Sequence, residues 1–168
     1  MVLANMEAAM ADASGLTFHD WPRPVLDVLR QGAVIPAHPL ALDAARKLDV
    51  TSQRALARYY IDAGAGGIAV GVHTTQFQIR EAGLYRPVLE LAAEAVRSWS
   101  KRPLVLIAGA IGRTRQAVEE ARIARGLGYH AVLLGLGAMK GASEDELIAH
   151  CASVAAEMPV VGFYLQTA

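Results

Sequence analysis

The sequence predicts an α/β fold built on a parallel sheet with helices outside it, either an open doubly wound sheet or part of an eight-stranded barrel. Three observations predict it. About five short apolar runs are continuous rather than alternating, so both faces of each strand should be buried, as parallel strands require. Segments with the 3.6-residue apolar period of helices separate them. Finally, Gly64-Ala65-Gly66-Gly67-Ile68-Ala69-Val70 resembles Gly128-Tyr129-His130-Ala131-Val132-Leu133, and Arg102-Pro103-Leu104-Val105 resembles Met158-Pro159-Val160-Val161. Each pair lies two βα units apart, the self-similarity of a β/α array.

Taken in order, residues 1–15 are rich in alanine and methionine without the basic start and apolar block of a secretory signal, and read as a loose leader. Trp21-Pro22-Arg23-Pro24 starts a short helix over Val25 to Arg30, closed by Gly32, that reads as a cap rather than as part of the core. Ala33 to Ala37 reads as a first strand, left through His38-Pro39-Leu40. Asp49 or Thr51 can cap the next helix, in which Leu56, Tyr59, Tyr60 and Ala63 share a face before Gly64. Gly67 to Val72 is a second strand, followed by the loop His73-Thr74-Thr75-Gln76-Phe77. Val88, Leu91, Ala92, Ala95, Val96 and Trp99 place a helix over 85–99.

Pro103 ends that segment and Leu104 to Gly109 makes a third strand. Thr114 can cap a helix striped by Val118, Ala121, Ala124 and Leu127, with Gly128 closing it. Ala131 to Gly135 is a fourth strand. Ser143 and Glu146 form a capping box for a helix carrying Leu147, Ile148, Cys151, Val154, Ala155 and Met158. Pro159 to Tyr164 is the fifth strand, which delivers Tyr164 at its carboxyl end.

Composition excludes several classes of function. The 168 residues suit one domain. Sixteen basic and sixteen acidic residues cancel without clustering, so nucleic acid and anionic membrane surfaces are not expected partners. No apolar run approaches the roughly 20 residues of a membrane span. The single cysteine, Cys151, rules out an internal disulfide, fits a reducing cytoplasm and sits at core spacing. Gly109-Ala110-Ile111-Gly112 and Gly135-Leu136-Gly137 fail the dinucleotide spacing, so no cofactor is expected.

Polar residues at the carboxyl ends of strands are the candidates for chemistry. His38 and His73 could begin a metal site, but no third ligand suggests itself, so no metal is expected. His73 can instead contact a substrate. His19, His130 and His150 read as structural or exposed. The adjacent Thr74 and Thr75 fit ordinary turn chemistry, yet hydroxyls beside backbone N–H groups can also hold a small carboxylate. Tyr164 at another strand mouth could meet them and shuttle a proton.

Several stretches together resemble the dihydrodipicolinate synthase and N-acetylneuraminate lyase family of class I aldolases. They are the strand leading to Thr74-Thr75, the run Leu106-Ile107-Ala108-Gly109-Ala110-Ile111-Gly112 with Thr114 and its helix, and Pro159-Val160-Val161-Gly162-Phe163-Tyr164. The resemblance implies a (β/α)8 TIM barrel, here an incomplete barrel of about five parallel strands over 33–168, preceded by a leader and capping helix over 1–32. It implies that Thr75 and its backbone hold the carboxylate of a pyruvate-like 2-oxo acid, that Thr74 orients Tyr164, and that Tyr164 relays protons. Gly137-Ala138-Met139-Lys140 stands where synthases place a second tyrosine, which points to another acceptor.

The family's Schiff-base lysine lies on the sixth strand, beyond this chain. Lys47, Lys101 and Lys140 lack the desolvated setting that an amine nucleophile needs. The expected function is therefore an aldolase-type lyase or synthase, a homo-oligomer as family members commonly are, of which this chain is the amino-terminal portion. The alternative expectation is a non-catalytic barrel fragment or pseudoenzyme that associates through its open sheet edge. A metal enzyme built on His38 and His73 is a third.

Overall fold

Four parallel strands, β1 (Gly67–Val70), β2 (Val105–Ala110), β3 (Ala131–Leu134) and β4 (Val160–Gly162), lie side by side in chain order. The structure is a computed structural model that describes residues 16–163. The leader over 1–15 and Tyr164 therefore lie outside the described residues. Among the described residues five α-helices accompany the strands: α1 (Arg23–Arg30), α2 (Val50–Asp62), α3 (Tyr85–Trp99), α4 (Thr114–Gly126) and α5 (Glu144–Ala155). Strand, helix and parallel strand alternate as in an incomplete (β/α) barrel, which is the expected fold class.

The period of two along each strand divides the sheet into two apolar faces. Ile68, Val70, Leu106, Ala108, Ala110, Val132 and Leu134 face α2–α5 and form the larger core with Val88, Leu89, Ala92 and Ala121. Ala69, Val105, Ile107 and Ala131 form the opposite face, against Trp21, Val25 and Leu26. Strand register places Ala37, Ala69, Ile107 and Ala131 in one row across that inner face. The small helix α1, expected to be a cap rather than core, covers this inner face and buries Val25 and Leu26 in the core against it.

Three expectations are corrected. The segment Ala33–Ala37 is not a strand of the sheet. It lies parallel to β1 with one bridge, Ala37 to Ala69, because Pro36 has no N–H to donate and Val34 is 77% exposed. On α2 the buried positions are Gln53, Ala57 and Ile61, so the inward face is rotated from the predicted one and Tyr59 is 66% exposed. Thr114 does not cap α4, whose cap position is Arg113, and its hydroxyl lies 2.9 Å from His150 Nδ1.

The other caps form as predicted. Asp49 accepts from the Ser52 amide at 3.0 Å. Glu146 Oε2 accepts from the Ser143 amide at 2.7 Å, while Ser143 Oγ accepts from the Glu146 amide.

Candidate functional site

The carboxyl ends of β1, β2 and β3 open onto a cavity of about 370 Å3 on the inner face. Gly109 and Gly135, at the ends of β2 and β3, are part of its lining. His73, Thr74 and Phe77 line it from the β1 side, and Ile111, Leu133 and Phe163 from the other. A larger open depression of about 690 Å3, bordered by Asp62, Trp99 and Arg102, lies at the amino-terminal ends of the strands. Barrels carry their chemistry at the opposite end, so the smaller cavity is the candidate site.

The loop after β1 folds into a 3-10 turn over His73–Thr75. His73 and Thr74 are exposed on it, whereas Thr75 is fully buried. The Thr75 hydroxyl donates to the His38 carbonyl at 2.6 Å and accepts from the Gly71 amide at 3.0 Å. Its own amide donates to the Val72 carbonyl. Thr75 therefore anchors the turn, and its single O–H is already spent inside the protein. Of the residues singled out from the sequence, Thr74 and His73 reach the cavity, joined by Phe163, the residue before Tyr164.

His38 is buried below this turn. Gln53 Oε1 accepts from the Ala41 amide at 2.7 Å, so its NH2 group faces His38 Nδ1 at 2.7 Å, which makes Nδ1 the acceptor. His38 Nε2 has no hydrogen-bond partner among the described residues. Burial holds this imidazole below its usual pKa, partly offset by the Pro39 carbonyl 2.9 Å from Nδ1. His38 therefore does not line the cavity beside His73, and the two do not form a metal pair. Among the described residues no cluster of three histidine, cysteine or acidic side chains is placed to hold a metal.

A buried network missed by the sequence reading braces the rim. Arg80 donates to both oxygens of Glu120, and also to the carbonyls of Gly71 at 3.1 Å and Gly109 at 3.0 Å. Glu120 accepts from the Ile111 amide at 3.1 Å and from Gln116 at 2.8 Å. The Tyr85 hydroxyl donates to the Gly109 carbonyl at 2.8 Å. Burial, reinforced by Glu120, pushes that phenol far above its usual pKa, so it stays a neutral donor. An arginine ten residues past the end of β1, and a glutamate on α4 beyond the next helix and strand, carry no local pattern that would have paired them.

Comparisons with known proteins agree with this architecture. No protein-family profile matches the chain. Over 91 residues, 54% of this chain, it is 34% identical to a probable 5-dehydro-4-deoxyglucarate dehydratase of Acinetobacter baumannii. A dihydrodipicolinate synthase from Agrobacterium tumefaciens superposes over 80% of the chain with a TM-score of 0.67 and 24% identity. An N-acetylneuraminate lyase from Mycoplasma synoviae superposes over 79% with a TM-score of 0.65 and 20% identity.

The fold is that of the dihydrodipicolinate synthase and N-acetylneuraminate lyase barrels. The family that the sequence resembles is thus also that of its structural neighbours. The chain spans 29% of the length of the Acinetobacter relative, 45% of the Agrobacterium synthase and 46% of the Mycoplasma lyase. Among the described residues no helix is long and apolar enough to cross a membrane.

Proposed function

We propose that this chain supplies the strand-end half of an aldolase-type lyase site that takes a 2-oxo acid such as pyruvate, with the Schiff-base lysine outside this sequence. The observation that carries it is the His73–Thr75 turn, which holds Thr74 at the edge of a cavity at the carboxyl ends of parallel strands. Lyase-type neighbours with the same fold support this reading. With the Thr75 hydroxyl given to His38, the carboxylate contact expected of Thr75 passes to Thr74, and Thr75 fixes its position. His73 is a second polar contact. Tyr164 follows Phe163 of the cavity wall and would relay protons between the bound oxo acid and its acceptor.

The test is reductive trapping. The full-length protein that contains this chain, treated with pyruvate and borohydride, should gain a stable adduct on a lysine outside residues 1–168, and Thr74→Val should slow its formation. No mass gain would overturn the proposal.

A second reading is favoured by one observation: Val34 beside β1 and Phe163 just past β4 leave apolar side chains exposed at the two margins of the sheet. In that reading the chain is a barrel fragment that associates edge to edge. Light scattering of the 168-residue chain separates the two, since a concentration-independent monomer excludes association.

A further inference from the structure

The candidate cavity is chemically divided. Its polar side chains, His73 and Thr74, both stand on the loop after β1. The facing wall, Ile111, Leu133 and Phe163, is carbon throughout, and Ile35 continues it on the far side of β1. Apart from His73, no lining side chain among the described residues is titratable. Leu133 and Ile35 of this wall also pack on the layer beneath, where Ala69, Ile107 and Ala131 meet α1, whereas Ile111 and Phe163 stand past the strand ends at the mouth. Ile111 and Leu133 are only partly buried, so their hydrocarbon is open to the cavity.

A ligand that fits must therefore be divided in the same way. One end needs hydrogen-bonding oxygens for the β1 loop, and the rest must be indifferent to losing water. A polyhydroxylated chain would set hydroxyls against hydrocarbon, and each hydrogen bond lost without replacement weighs against binding. An aryl or alkyl group gains from the same contact. The volume of about 370 Å3 lies at the small end of the usual range for ligand sites, roughly 300–1,000 Å3, and suits one ring beside a short acid.

We propose that the substrate of this site is a 2-oxo acid bearing an apolar, aryl-type tail, with its carboxylate end at Thr74 and His73 and its tail against Ile111, Leu133 and Phe163. This rests on the proposed 2-oxo acid reading and adds the substrate class.

The experiment follows amide resonances of the isotopically labelled chain during titration with pyruvate, 2-oxo-4-phenylbutanoate, 4-phenylbutanoate and gluconate. The phenyl oxo acid should bind at least about tenfold more tightly than pyruvate, the gain expected from burying a ring. Its shifts should include Gly109, Ile111 and Leu133, and gluconate should cause none there. Leu133→Asn should reduce the ratio of the two oxo-acid affinities.

Gluconate binding as well as the phenyl acid, or a phenyl acid no tighter than pyruvate, would overturn the proposal. So would the absence of shifts at Ile111 and Leu133 with every ligand. If 4-phenylbutanoate equals its oxo counterpart at the same residues, the apolar wall stands and the oxo-acid part of the assignment falls. If pyruvate binds at Thr74 while the phenyl acid does not, the substrate class falls and the oxo-acid reading stands.

Discussion

Arg80 and Glu120, forty residues apart, meet as a two-pronged pair, with Nε and Nη2 each 2.8 Å from a different carboxylate oxygen and only 10% and 6% of their side chains exposed. Both charges are taken from water, so the net stability of such a pair is small while its geometry is strict. Breaking one side leaves the other buried without its counter-charge. Arg80→Met should lower stability by about 3–5 kcal/mol, and Arg80→Met with Glu120→Leu should recover most of it. Urea denaturation of the two variants checks this; equal losses would refute it.

The two adjacent threonines should separate cleanly. Thr75→Val removes the hydroxyl that bridges the His38 carbonyl and the Gly71 amide, leaving two buried groups unmet, at a cost of about 1–3 kcal/mol. Thr74→Val lies on an exposed position and should change stability by no more than about 0.5 kcal/mol, while reducing trapping of pyruvate. Unfolding midpoints of both variants provide the comparison.

Two glycines predict opposite signs. A Cβ on Gly109 would meet the Gly71 carbonyl oxygen, a backbone atom with nowhere to go, so Gly109→Ala should destabilise by about 1–3 kcal/mol or more. Gly126 ends α4 with open space around it, and Gly126→Ala should stabilise by roughly 0.4–1 kcal/mol. Thermal melts of the pair read both.

Stability should also fall in acid below the unfolded histidine pKa of about 6.5. Burial depresses the folded-state pKa of His38, as it does for His130 and His150, so the unfolded chain binds protons more readily. The stability is intact above that unfolded value and is lost as pH falls from it toward the folded values. His38→Asn, whose Oδ1 can stand in for Nδ1 beside Gln53, should flatten the slope between about pH 7 and 5. An unchanged slope in urea titrations would show that His38 does not contribute.

What could be read from the sequence was local or periodic. The bounds of α3, the cap at Asp49 and the Ser143–Glu146 box each announce themselves within a few residues. Continuous apolar strands were enough for a parallel sheet. On α2, aromatic Tyr59 outweighed polar Gln53 in the reading, although Gln53 is the buried one because Ala41, Pro39 and His38 satisfy its amide. Which of two identical threonines turns inward, and that Arg80 would meet Glu120, depend on chain crossings that no local pattern encodes.

The hook from Thr75 to the His38 carbonyl has one more consequence. It fastens the turn that presents Thr74 to a segment beside β1, while Arg80 grips the neighbouring carbonyls of Gly71 and Gly109. The mouth is thus braced by the fold itself. On the proposed reading, a small molecule would meet this loop already in place, and its affinity would not be diminished by the entropy of arranging it.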